Sequence, residues 1–221
     1  MASLVQNTSA LPTSLFDVPA QTTLEQSIPL HEVTFCVVDL ETTGGSPVDS
    51  KITEVGAVTC RGGERLAVFQ SLVNPGVAIS PFITHLTGIS DQLVANEPPI
   101  ELVLPAFLDF SQGSVFVAHN AGFDFRFLNA NLVRLECDPI PGPPVCTAKL
   151  ARRVVWPDVP NVRLHTLAGY FRTRVQPNHR ALADAEACAE VLHGLLDLGG
   201  RLGIRTLGDL REASRAKGRP H

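Results

Sequence analysis

Apolar residues come in short blocks along this chain, and their spacing changes from block to block. Residues 34–38 run Thr-Phe-Cys-Val-Val, the continuous apolar stretch of a strand covered on both faces. Residues 52–61 and 65–73 predict two further strands, joined by the turn Arg61-Gly62-Gly63-Glu64. A fourth apolar run, Val115-Phe116-Val117-Ala118, stops at His119-Asn120, placed to orient the loop or meet a substrate, with a structural role favoured for His119. Elsewhere the spacing is helical. Residues 80–94 and 98–110 predict short helices, and residues 125–135 carry Phe127, Leu128, Leu132 and Leu135 at helical intervals. Helices are also expected over 147–154, 164–171 and from Ala181 to Leu198, with the Pro-rich segment 138–144 as a loop. Strands and helices alternating through 221 residues predict one α/β domain with ample material for a core.

Carboxylates interrupt this pattern at three places. The first strand carries Asp39 and Glu41 before it reaches the turn residues Thr42-Thr43-Gly44-Gly45. Side chains two apart on a strand point to the same side, so both carboxylates face one spot. Two like charges about 4 Å apart repel by roughly 4 kcal/mol at an effective dielectric of about 20. If further carboxylates converge there, cations must sit between them. Asp124 falls in the first turn of the helix after the fourth strand, where a carboxylate also favours the helix dipole. His179 follows the loop signal Gln176-Pro177-Asn178, and Asp184 projects from the first turn of the long helix. Oxygen ligands without a Cys or His cluster point to Mg²⁺ or Mn²⁺ rather than zinc. An unperturbed imidazole titrates at about pH 6.5 and can take a proton from water at neutral pH. Singly, each has a plainer reading: a polar strand end, a helix-start carboxylate, a loop histidine. Together, four carboxylates and one imidazole in this order suit a two-metal phosphodiesterase.

Three motifs carry a resemblance. Asp39-Leu40-Glu41-Thr42-Thr43-Gly44, then His119-Asn120-Ala121-Gly122-Phe123-Asp124, then His179-Arg180-Ala181-Leu182-Ala183-Asp184-Ala185 stand in the order and spacing of the DEDDh-type 3′–5′ exonucleases. That family includes polymerase proofreading domains and RNase T. Ile83-Thr84-His85-Leu86-Thr87-Gly88-Ile89 is a secondary match, and the similarity covers about residues 33–197. The resemblance implies an RNase H-like fold, a mixed five-stranded sheet flanked by helices. It also implies release of nucleoside 5′-monophosphates from DNA 3′ ends, in repair or proofreading, with two divalent cations, Mg²⁺ or Mn²⁺. In the family's pattern Asp39 bridges the ions, Glu41 and Asp184 complete one site, and Asp124 supports the other. His179 is then the general base, and backbone from Leu40 to Thr42, with Phe123, holds the terminal nucleotide. The motifs do not read a 2′-hydroxyl, so an exoribonuclease of the same fold is the alternative. A noncatalytic interaction module is a third reading, disfavoured by the intact constellation.

Composition adjusts the edges of this picture. The net charge of −4 is not the footprint of a duplex-binding protein, but gripping a few nucleotides of a single-stranded 3′ end through metals needs no basic face. Residues 201–221 carry six Lys or Arg against two Asp or Glu, and predict a basic C-terminal tail or linker beyond an exonuclease domain at 31–200. That segment resembles the linker joining this exonuclease to a GIY-YIG endonuclease domain in some actinobacterial chains. Residues 1–30 lack Lys and Arg, which excludes an ordinary signal peptide and predicts a disordered tail. Within them, Ser14-Leu15-Phe16-Asp17 is faintly similar to the motif by which bacterial repair proteins bind a sliding clamp. A polymerase is the other partner the resemblance suggests. The five Cys show no metal-type pairing and read as free thiols in a reducing cytoplasm. No apolar run reaches the 18 residues of a membrane span.

Overall fold

The computed structural model describes residues 25–215. One mixed sheet forms its centre: β1 (Phe35–Thr42), β2 (Ile52–Arg61), β3 (Glu64–Leu72), β4 (Val115–Ala118) and β5 (Val145–Cys146). The spatial order is β3-β2-β1-β4-β5. The β1–β2 and β2–β3 pairs are antiparallel, whereas β4 runs parallel to β1, and β5 to β4. Gly62 and Gly63, with φ of +57° and +89°, make the tight turn between β2 and β3. The expected mixed five-stranded α/β sheet is therefore present.

The apolar run of β1 serves two cores at once. Phe35 and Val37 face one side of the sheet; Cys36, Val38 and Leu40 face the other. On the first side lie α5 (Thr147–Val154), α6 (Leu164–Phe171) and α7 (Ala181–Gly199), which bury Leu150, Leu167, Leu192 and Leu195 there. On the second side lie α3 (Ile100–Ser111) and α4 (Gly122–Arg134), with Leu104, Phe107, Phe127, Leu128 and Leu132. Two short helices, α1 (Pro81–Thr87) and α2 (Asp91–Val94), close a small separate cluster of Ile79, Ile89 and Val94. The five cysteines are free thiols, four of them buried. Among the described residues, no helix is long and apolar enough to cross a membrane.

The tail expected from residue 201 needs correction. Residues Leu207–Arg215 form a further helix, α8, and Ile204, Leu207, Leu210 and Ala213 are buried in the first core. The helix start is well specified. Thr206 Oγ1 accepts from the Asp209 N–H at 3.2 Å, and Asp209 Oδ2 accepts in return from the Thr206 N–H at 2.9 Å, a capping box. Just upstream, Pro29 bridges Thr206, and the Leu30 N–H donates to the Arg205 carbonyl at 3.1 Å. Residues 25–30 thus belong to the folded unit as well, while the earlier part of the expected N-terminal tail, with Ser14–Asp17, lies outside the described residues. Leu210 is fully buried. Its replacement by alanine is expected to cost about 2–5 kcal/mol of unfolding free energy. A denaturant titration would read this; a cost of about zero would make α8 an appendage after all.

Candidate active site

The site forms where β1 outruns its neighbour. Pairing with β4 ends at Val38 opposite Ala118, yet β1 continues to Thr42. Asp39 and Glu41 lie on that extension, both half-buried and on the same side of the strand. Asp124 is buried in the first turn of α4. Asp184, buried in the first turn of α7, accepts from the Asn178 N–H at 2.8 Å. His179 is exposed, just before α7, with a left-handed φ of +60°. One ligand atom each from Glu41, His179 and Asp184 lie within 4.8 Å of one another.

Charge repulsion marks this convergence. Burial, followed by the charges of Asp124, Asp184, Glu41 and Glu54, raises Asp39 well above the usual carboxylate range. Glu41 is pushed up to about 8, first by burial and then by Asp184, Glu54 and Asp124. Burial carries Asp124 to about 7, although the nearby N–H groups of Asp124 and Leu40 favour its charged form, and burial raises Asp184 too. Such a group of hard oxygen donors is stabilised by cations of the Mg²⁺ or Mn²⁺ type. The residues present fit that ligand class.

The expected nucleotide-holding residues border the carboxylates. Leu40 and Thr42 are buried, and Thr42 Oγ1 donates to the Gly44 carbonyl at 2.7 Å. Phe123 is half-buried, its ring 4.8 Å from that of Phe127. His119 is drawn into the framework: Nδ1 lies 2.9 Å from Thr147 Oγ1, and burial lowers the imidazole pKa to about 4, so the ring is neutral.

One acidic residue at this site escaped the sequence reading. Glu54 sits opposite Glu41 on β2 and is fully buried. Burial alone would raise it, but Arg180, Gln70 and the Ala181 N–H hold it below its ordinary value. The available signal was a charged residue in the middle of the apolar run Ile52-Thr53-Glu54-Val55.

A five-stranded mixed sheet with acidic residues gathered at the end of its central strand defines an RNase H-like nuclease framework. The sequence profile of the RNase T exonuclease family matches residues 36–192, and the chain belongs to that family. A candidate bifunctional exonuclease/endonuclease of Mycobacterium tuberculosis (strain CDC 1551 / Oshkosh) is 50% identical over 192 residues, covering 82% of this chain and 29% of that protein. A PolC-type DNA polymerase III of Caldanaerobacter subterraneus subsp. tengcongensis (strain DSM 15242 / JCM 11007 / NBRC 100824 / MB4) is 39% identical over 176 residues, covering 80% of this chain and 12% of the polymerase. The chain thus spans less than a third of the length of either relative. Among solved structures, Exonuclease X in complex with 5′ overhanging duplex DNA superposes with a TM-score of 0.65 at 29% identity, covering 81% of this chain and 99% of that one. The nuclease domain of 3′hExo, a DEDDh family member bound to rAMP, shares the fold with a TM-score of 0.63 at 20% identity, covering 75% and 92%.

Proposed function

We propose that this chain is a metal-dependent 3′–5′ exonuclease that removes nucleoside 5′-monophosphates from single-stranded DNA 3′ ends, in cytoplasmic DNA repair or proofreading. The observation that carries this reading is the convergence of Asp39, Glu41, Asp124 and Asp184 beside an exposed His179. The four carboxylates would hold two Mg²⁺ or Mn²⁺ ions, with Asp39 shared between them. When bound, those ions polarise the scissile phosphate, make water easier to deprotonate and offset charge on the leaving 3′ oxygen.

The protein's own groups supply the rest. His179 takes the proton of the attacking water and, being exposed, can return it to solvent. Backbone from Leu40 to Thr42 receives the terminal nucleotide, and the ring of Phe123 stacks against its base. The DNA-bound state of Exonuclease X and the PolC relative support DNA as substrate and a polymerase as partner. The M. tuberculosis relative supports an endonuclease unit as the other candidate partner.

The test is degradation of 5′-labelled single-stranded DNA and matched RNA in Mg²⁺, Mn²⁺ or EDTA. A single-nucleotide ladder on DNA, absent in EDTA, is expected. A ladder on RNA alone would make the chain an exoribonuclease. Immediate release of the label as a mononucleotide would reverse the direction. No product from folded protein would favour the interaction module.

A further inference from the structure

We propose that Glu54 is a positioning residue for His179: together with Gly56 it makes a seat on β2 that fixes the turn at the head of α7. This rests on the reading of His179 as proton acceptor. A carboxylate offers about four lone-pair sites, and hydrogen bonds to Glu54 fill that number. Its Oε1 accepts from Arg180 Nη2 and Gln70 Nε2, both at 2.8 Å. Its Oε2 accepts from Arg180 Nε and from the Ala181 N–H, both at 3.0 Å. Nothing is left over for a cation, which separates Glu54 from its cross-strand neighbour Glu41. The guanidinium is gripped by both oxygens at once, a two-point contact that fixes orientation as well as distance.

Two residues further along β2, Gly56 lets helix and sheet touch backbone to backbone. A Cβ there would lie 2.2 Å from the Ala181 carbonyl carbon and 2.3 Å from the Leu182 nitrogen. The head of α7 therefore rests directly on the strand, with no side chain as a cushion. His179 stands between two backbone anchors. The Asn178 N–H is held by Asp184 Oδ1 on one side, and the Ala181 N–H by Glu54 on the other. Its left-handed backbone is disfavoured for any residue with a Cβ and persists only where the surroundings impose it. With both anchors in place, the ring lies beside Glu41 and Asp184. Without the Glu54 anchor, the turn is free to relax and carry the imidazole away.

The experiment uses the whole chain, with Glu54→Gln, Arg180→Lys, His179→Ala and the Glu54→Gln/His179→Ala double variant, on 5′-labelled single-stranded DNA with Mn²⁺. Glutamine keeps the size of Glu54 but presents only one acceptor oxygen, and lysine replaces the fork with a single point. Since displacement by about 1 Å can cost about 100-fold, kcat should fall by about 10- to 100-fold in Glu54→Gln and by about 10-fold in Arg180→Lys. KM and circular dichroism should stay as in the parent. In the His179→Ala background, Glu54→Gln should change kcat by less than about 2-fold, because its route to the chemistry is already gone. Should Glu54→Gln fail to fold, the milder Arg180→Lys, alone and with His179→Ala, decides in its place. Full kcat in both single variants, or a loss undiminished without His179, would overturn the proposal. Near-normal turnover in His179→Ala alone would instead remove the assignment on which it stands.

Discussion

Asp39→Asn is expected to lose turnover and, in the same protein, to gain thermal stability in EDTA. Asparagine preserves the volume but not the charge that would be shared between two cations. If ions at this position contribute several kcal/mol to the transition state, the rate falls by at least about 10³-fold. The stability gain follows from the electrostatics. Burial and then the neighbouring carboxylates raise Asp39 well above the usual range. Unfolded carboxyls titrate at about pH 4, so as pH rises the unfolded chain releases its protons first and the folded state loses stability. The loss runs from about pH 4, where unfolded carboxyls ionise, through the raised folded values, with Asp124 at about 7 and Glu41 at about 8. Removing Asp39 relieves part of it. The melting temperature of the variant in EDTA should exceed that of the parent, by more at pH 8 than at pH 5. Adding Mn²⁺ should reverse the order, since only the parent gains the full stabilisation of binding. Thermal melts at the two pH values, with and without Mn²⁺, read all of this. An equal or lower melting temperature for the variant in EDTA at pH 8 would mean that the carboxylates are not strained.

The same forces explain what could be read in the sequence and what could not. The apolar run of β1 and the Gly62-Gly63 turn are local signals, and the strands appear where they predict. The helices at 147–154 and 164–171 agree with the expected bounds because their apolar spacing needs no knowledge of the partner surface. The five acidic and imidazole positions were legible because each lies at a strand end or a helix start, where the polar residue breaks an apolar pattern. Glu54 was not. A strand reading treats an interior charge as noise, and its partners come from sixteen residues downstream on β3 and from the far end of the chain. The helix α8 was missed for a different reason. The net positive charge of residues 201–221 masks the apolar stripe of Leu207, Leu210 and Ala213 that faces the core, and the Thr206–Asp209 capping box that starts the helix.

Asymmetry of burial within the site is what divides the labour proposed for it. Asp124 and Asp184 are buried, and Asp184 is held by the Asn178 N–H, so these carboxylates have little freedom before any ligand arrives. His179 is exposed, on a turn rather than within a helix or strand. A ligand gains from fixity, whereas a group that must exchange protons with solvent gains from exposure. The strand, the two helix starts and the turn therefore do not contribute equivalent side chains.

That division makes His179→Ala the sharpest test of mechanism. Removing a general base should slow the reaction by about 10²- to 10⁴-fold. Because the imidazole stands with Glu41 and Asp184 in one cluster, an alternative is that it is itself a ligand. The two roles separate in the binding step. As a base, His179 can be lost with Mn²⁺ affinity and DNA affinity unchanged, and single-turnover rates should fall with kcat while KM stays level. As a ligand, its loss should weaken Mn²⁺ binding in direct titration, and raising the metal concentration should restore turnover. Rescue by metal would transfer the proton-accepting role to another group or to solvent.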